Sequence, residues 1–154
     1  MSPRKRLLVV FHTQSGNTAQ LAEAVLRGAN RVPETETRLL RAFDAGVDDL
    51  LNCDGLLLGT PENFGYMSGA LKDFFDRTYH PCEGRLVGLP YAVFVSAGND
   101  GTGAVREIGR IANGYGWKCS AEPLIARKAI APEHLSAAEE LGEAMASGLA
   151  MGIF

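Results

Sequence analysis

Residues 6–18 read RLLVVFHTQSGNT: a run of consecutive apolar residues breaks off into a small polar loop that contains a glycine, just where a helical pattern begins. Two later apolar runs end in the same way, in the loops TPENFGY (residues 60–66) and AGNDGTG (residues 97–103). The carboxyl ends of the strands in an open parallel sheet share one edge, and ligands bind in the crevice there. We therefore predict that the three loops converge and that a single ligand contacts all of them.

The composition is that of an ordinary globular chain. Its 154 residues suit one domain, residues 1–154, with a substantial core. Fifteen lysines and arginines against eighteen aspartates and glutamates give a net charge of -3, which is too small to predict binding to nucleic acid or to a membrane surface. No apolar run approaches the roughly 18 residues that span a bilayer. We interpret the leading MSPRKR (residues 1–6) as a basic lead-in to a buried strand, because no cleavage site follows it.

The cysteines and histidines give no sign of a disulfide framework or a metal site. Cys53, Cys82 and Cys119 are widely spaced and include no C-x-x-C pair, which favours inert thiols in a reducing compartment, so we expect a cytoplasmic protein. No set of histidines, cysteines and carboxylates has the spacing of metal ligands, and no nucleophile elbow or catalytic triad is present. The sequence therefore predicts neither a metal nor a side-chain nucleophile.

The apolar pattern predicts five strands that alternate with helices. The strands are expected at 6–11, 35–40, 55–59, 91–96 and 117–126. Apolar residues recur at helical spacing in five places: after the first strand, around 47–51, in a stretch that Ser68 could cap, in a stretch that ends at Gly114 or Gly116, and after Pro132. Right-handed crossovers between parallel strands then give an α/β fold, a three-layer sandwich with helices on both faces of the sheet.

The first loop has the chemistry of a phosphate site. Thr13, Ser15 and Thr18 offer hydroxyls, while Gly16 and Asn17 allow a tight turn whose N–H groups face inward at a helix start. The loop contains no lysine or arginine, so neutral donors would hold the phosphate. The G-x-x-x-x-G-K-[ST] pattern is absent, which argues against ATP or GTP. The alternative is a polar helix cap without a ligand.

Two motifs resemble the flavodoxin-like family of FMN proteins. Residues 13–18 (TQSGNT) are similar to the flavodoxin phosphate loop. Residues 61–77 (PENFGYMSGALKDFFDR) are similar to the flavin loop and following helix of the NAD(P)H-dependent FMN reductase and quinone reductase branch. The resemblance covers nearly the whole chain in order. It implies the strand order 2-1-3-4-5 with FMN at the switch point between strands 1 and 3, an arrangement that flavodoxin itself exemplifies.

The resemblance also implies which residues bind FMN. It assigns the phosphate to Thr13, Ser15, Gly16, Asn17 and Thr18, and the isoalloxazine ring to Pro61, Glu62, Asn63, Phe64, Gly65, Tyr66, Ala97, Gly98, Asn99, Asp100 and Gly101. Gly65 leaves the backbone free to approach the ring. Phe64 or Tyr66 could contact the ring or simply pack on neighbouring residues.

The third loop favours an enzyme over an electron carrier. Residues 98–103 contain no aromatic residue and one carboxylate, whereas flavodoxins that only carry electrons commonly stack a tyrosine on the outer flavin face. An uncovered face leaves room for a nicotinamide or a quinone. We therefore predict hydride transfer from NADH or NADPH through FMN to a quinone, a flavin or another small acceptor. The alternatives are an electron carrier that docks on redox protein partners and an FMN-binding sensor. Resemblance to the reductases implies a homodimer or tetramer.

Two weaker features remain open. Residues 79–82 (YHPC) are expected to follow the third helix. There, His80 could border the flavin as a proton donor, or it could be a helix-end or interface residue, since a histidinium is favourable at a helix C-terminus. Arg106 and Arg110 could clamp a nicotinamide phosphate or form a solvated helix face.

Overall fold

The apolar runs form the central strands of a parallel sheet. The structure is a computed structural model that describes residues 3–154, so Met1 and Ser2 of the predicted lead-in lie outside the described residues. The central strands are β1 (Lys5–Phe11), β3 (Gly55–Pro61) and β4 (Pro90–Ala97), and β2 (Thr35–Arg41) lies at the edge beside β1. Strands β3 and β4 are buried along almost their full length because both faces of the sheet are covered.

Helices cover the two faces and complete the predicted sandwich. They are α1 (Asn17–Ala29), α2 (Val47–Leu51), α3 (Gly69–Cys82), α4 (Thr102–Tyr115) and α5 (Pro132–Met151), and a 3-10 turn (Ala42–Asp44) follows β2. Helices α1 and α5 enclose one apolar core against the sheet, while α3 and α4 enclose the other. The predicted three-layer α/β fold is therefore confirmed.

The strand order agrees with the prediction, but the last strand is broken. The sheet runs β2-β1-β3-β4, and two short strands, β5 (Lys118–Cys119) and β6 (Leu124–Arg127), both pair with β4 in parallel. The single strand expected over 117–126 is thus wrong. Pro123 lies between the two pieces and has no N–H to donate to a sheet ladder, which explains the interruption.

The helix boundaries follow the predicted signals, with one exception. Ser68 caps α3 by accepting the N–H of Leu71 at 3.2 Å, and Gly116 ends α4 with a positive φ of 81°. Helix α3 continues to Cys82, so residues 79–82 lie inside the helix and do not follow it. The helix tolerates Pro81 because the proline lies in the last turn, where only one helical hydrogen bond is lost.

All three cysteines are free thiols. Cys53 and Cys82 are buried, and burial raises the pKa of Cys53 to about 12, so this thiol stays protonated. Cys119 is exposed.

Helices α1 and α5 approach each other closely at two glycines. A Cβ on Gly28 would lie 1.8 Å from the carbonyl oxygen of Glu139, and a Cβ on Gly142 would lie 2.0 Å from that of Val25. The two helix backbones are therefore in direct contact. This contact sets the position of α1, the helix that follows the first loop.

We expect Gly142→Ala to lower the free energy of unfolding by about 1–3 kcal/mol, because the new methyl group forces the two helices apart. Gly114→Ala is the matched control: the nearest atom to its Cβ is Tyr79 Cε1 at 3.6 Å, an ordinary contact. That change should be neutral or stabilise by about 0.5–1 kcal/mol. Urea unfolding of both variants makes the comparison, and equal free energies would contradict the close approach.

Candidate functional site

The three loops begin at neighbouring points on one edge of the sheet. In the parallel register, Phe11 is opposite Gly59, and Pro61 is opposite Ser96. The N–H of His12 also donates to the carbonyl of Gly59 at 3.1 Å. The strands β1, β3 and β4 therefore end side by side, and the loops that follow them lie together at one edge of the sheet, as predicted.

The first loop presents unpaired N–H groups. Thr13 Oγ1 accepts the N–H of Gly16 at 3.1 Å and that of Ala19 at 3.3 Å, so this hydroxyl stabilises the loop itself. Within residues 3–154, the N–H groups of Ser15, Asn17 and Thr18 have no acceptor. These groups lie at the start of α1, where the helix dipole favours an anion.

Thr18 connects the first loop to β4. Its side chain is 1% exposed, and its Oγ1 lies 2.7 Å from Oγ of the buried Ser96. The hydroxyl predicted to face a phosphate thus has a protein partner. Sequence reasoning missed Ser96, although a serine inside an otherwise apolar strand is an unusual feature that marks a buried polar contact.

The second loop is a tight turn with an exposed aromatic ring at its tip. The N–H groups of Asn63 and Tyr66 donate to each other's carbonyl oxygens at 2.8 and 2.9 Å. Between them, Phe64 and Gly65 have positive φ angles of 52° and 74°. Such angles are uncommon for phenylalanine. The Phe64 side chain is fully exposed, whereas Tyr66 is partly buried against the core.

Glu62 joins the second loop to the third. Its Oε1 accepts the N–H of Gly101 at 2.9 Å, and its Oε2 accepts that of Ala104 at 3.2 Å. The carboxylate therefore caps the N-terminus of α4 from a different element. At the same place, a Cβ on Gly103 would lie 2.2 Å from the carbonyl oxygen of Gly65. The second and third loops are thus packed together, and the hydrogen bonds of the Glu62 carboxylate connect them.

The third loop is open to solvent. Gly98, Asn99 and Asp100 are exposed. The Asp100 carboxylate accepts the hydroxyl of Thr102 at 2.7 Å and also its N–H, and these hydrogen bonds lower the pKa of Asp100. Arg127 Nε donates to the Asp100 carbonyl at 2.9 Å. Both contacts hold the backbone of the loop.

The structure does not bring His80 to the loops. His80 lies twelve residues after the Ser68 cap, which is about 18 Å along α3 towards the opposite edge of the sheet. It is exposed, with its ring edge-on to Tyr79 at 5.2 Å. Arg110 lies nearer the site, in a groove with Tyr66, but its guanidinium forms an ion pair with Glu107 at 3.1 Å.

The described residues contain neither a metal-ligand cluster nor a membrane-spanning helix. No group of three or more metal-ligating side chains lies together in this part of the chain. No helix within the described range is long and apolar enough to span a membrane.

The sequence profile of the NADPH-dependent FMN reductase family matches residues 30–114. The match covers more than half of the chain and includes the motif at 61–77. The chain therefore belongs to this family, which confirms the resemblance predicted from the motifs.

Three curated proteins are similar to parts of the chain. A flavodoxin of Aquifex aeolicus is 38% identical over 98 residues, which is 64% of this chain and 53% of that protein. An NAD(P)H dehydrogenase (quinone) of Acidithiobacillus ferrooxidans is 42% identical, over 59% of this chain and 56% of that protein. A protein of the same name from Archaeoglobus fulgidus is 36% identical, over 59% of this chain and 61% of that protein. The chain thus spans between half and two thirds of the length of these relatives.

Solved structures show the same fold. A flavodoxin from the domain Archaea has a TM-score of 0.84 at 22% identity, over 94% of this chain and 98% of that one. Flavodoxin 1 from Bacillus cereus has a TM-score of 0.83 at 22% identity, over 94% and 99%. The fold is therefore flavodoxin-like.

We expect Glu62→Ala to lower the free energy of unfolding by about 0.5–2 kcal/mol, because two N–H groups at the start of α4 lose their acceptors. Glu62→Gln keeps one oxygen acceptor and should lose less. Glu122→Ala removes an exposed carboxylate outside the site and serves as the control. Urea unfolding is the measurement. Equal free energies of unfolding for Glu62→Ala and Glu122→Ala would contradict a stabilising role of the two Glu62 hydrogen bonds.

Proposed function

We propose that this chain binds FMN and transfers hydride from NADH or NADPH to a quinone, a flavin or another small acceptor. One observation carries the proposal: unpaired N–H groups at the start of α1 lie at the same edge of the sheet as a braced pair of loops. The family membership and the names of two relatives, NAD(P)H dehydrogenase (quinone), support it.

The first loop fits the phosphate of FMN. The N–H groups of Ser15, Asn17 and Thr18 would donate to the phosphate oxygens, and the dipole of α1 would stabilise their charge. The Ser15 side chain is exposed and adds a hydroxyl. No cation lies within residues 12–18, so neutral donors do this work.

The second and third loops fit a flat ring. A Cβ placed on Gly65 or Gly98 would meet nothing within 4 Å, so each backbone has open space beside it. The two hydrogen bonds of Glu62 fix the distance between these loops, which would orient a ring held between them. When bound, the flavin supplies the hydride chemistry, and the protein needs no side-chain nucleophile.

The open third loop favours an enzyme. Residues 98–101 put no aromatic side chain over the crevice, so a nicotinamide ring can approach in parallel, as hydride transfer requires. We further propose one domain in the cytoplasm, because its three thiols are free, and assembly as a homodimer or tetramer.

An electron carrier is the second candidate. The fully exposed Phe64 at the tip of the second loop offers an apolar contact to a redox protein partner. The relative from Aquifex aeolicus is named flavodoxin. Rapid reduction by nicotinamide distinguishes the two functions.

We expect Asn99→Trp to slow reduction of bound FMN by NADH or NADPH by at least about tenfold, because the indole occupies the space that a nicotinamide needs. FMN should stay bound, because the first loop that would hold its phosphate is not altered. Asn113→Trp places the same side chain at an exposed position on α4, away from the loops, and is the control. The measurement is anaerobic stopped-flow absorbance of the flavin. If neither nicotinamide reduces the wild-type protein and a redox protein partner does, the chain is an electron carrier.

A further inference from the structure

A separate cavity borders the first loop on the β2 side, away from the second and third loops. Its volume is about 330 Å³, and its lining residues are Phe11, His12, Thr13, Arg41, Phe43 and Asp44. Ligand pockets in proteins commonly have volumes of about 300–1,000 Å³. The cavity is therefore large enough for a small planar group, and it shares only Thr13 with the residues assigned to FMN.

An exposed aromatic ring on a hydrogen-bonded turn lines this cavity. The Phe43 side chain is 66% exposed on the 3-10 turn that follows β2. Arg77 fixes that turn, because its guanidinium donates to the carbonyl oxygens of Ala42 and Ala45, each at 2.9 Å. The Phe43 ring also meets the ring of His12 edge-on, with the centroids 6.0 Å apart. Phe43 thus presents an apolar ring to water from a backbone that Arg77 holds in place, and such a ring is suited to stacking.

The cavity also holds two charges that do not pair with each other. Within residues 3–154, the guanidinium of Arg41 and the carboxylate of Asp44 form no hydrogen bond or salt bridge, in contrast to Arg38 of the same strand, which pairs with Asp49. Burial and, to a lesser extent, the positive charge of Arg41 lower the pKa of His12, so the imidazole is neutral at pH 7. Arg41 is therefore the cation of the cavity, beside a loop that has none.

We propose that this cavity binds an adenylate group, with the purine stacked on Phe43 and the phosphate beside Arg41. Aromatic side chains stack on nucleobases, and a guanidinium matches the geometry of a phosphate. The Asp44 carboxylate is an acceptor for the amino group of the purine or a ribose hydroxyl. This inference rests on the proposed function, since the NAD(P)H donor carries an adenylate; FAD carries the same group.

Titration with 5′-AMP tests the cavity without any redox reaction. We expect 5′-AMP to shift the NMR signals of the Phe43 and His12 rings in the purified protein. Phe43→Ala and Arg41→Gln should each weaken binding by about fivefold or more. Arg85→Gln makes the same charge change at an exposed position outside the cavity and should have no effect. Inorganic phosphate alone should leave the Phe43 signals unmoved.

The proposal is overturned if 5′-AMP leaves these rings unmoved, or if the two cavity variants bind it as tightly as Arg85→Gln does. The proposed function is tested separately by flavin reduction, which does not require this cavity. A negative titration combined with rapid flavin reduction would therefore remove only the adenylate site.

Two further measurements, one of KM and one of flavin binding, identify which molecule carries the adenylate. If it belongs to the donor, Phe43→Ala raises the KM for NADPH and leaves that for reduced nicotinamide mononucleotide unchanged. If it belongs to a flavin, Phe43→Ala weakens FAD and leaves FMN unchanged. An unchanged result in both arms overturns the proposal.

Discussion

The parallel register of β1, β3 and β4 is the constraint on which the site depends. It places Phe11 opposite Gly59 and Pro61 opposite Ser96, so the three strands end together and the loops that follow them lie at one edge of the sheet. Gly59 is part of this constraint, since a Cβ there would lie 2.1 Å from the Phe94 ring on the next strand. A shift of one residue would reverse which side chains face each helical layer, and would misplace the loops.

Contacts between distant parts of the chain then lock the loops relative to one another. The Glu62 carboxylate spans 39 residues to reach the N–H of Gly101, and Thr18 spans 78 residues to reach Ser96. These polar groups lie near a predicted ligand site, yet their hydrogen bonds are made to the protein. In the proposed complex with FMN, the ligand contacts would therefore fall to backbone N–H groups and glycines, which these side chains hold in place. A rigid backbone cradle of this kind reduces the entropy that binding must overcome.

Sequence reasoning predicted the sheet order, the helices and the convergence of the loops because each depends on local patterns: apolar runs, caps and turn residues. It missed the role of Glu62, since nothing local shows that its acceptor atoms face N–H groups on α4. It missed the cavity of Phe43 for the same reason, because Arg77 fixes that turn from another helix. The break in the last strand could have been predicted from the sequence, since Pro123 lacks the N–H that a strand residue donates to its neighbour in the sheet. Most of the features that sequence reasoning missed depend on hydrogen bonds between residues far apart in the sequence.

We propose that one FMN contacts all three loops, with its phosphate on the N–H groups of the first. Amide NMR during parallel titrations with FMN and riboflavin tests this binding mode. We predict that FMN shifts the signals of Ser15, Asn17 and Thr18 together with those of residues 63–66 and 98–101, in the same concentration range. Riboflavin, which lacks the phosphate, should shift only the second and third loops. Equal shifts of the first loop with both ligands, or shifts confined to one loop, would contradict this binding mode.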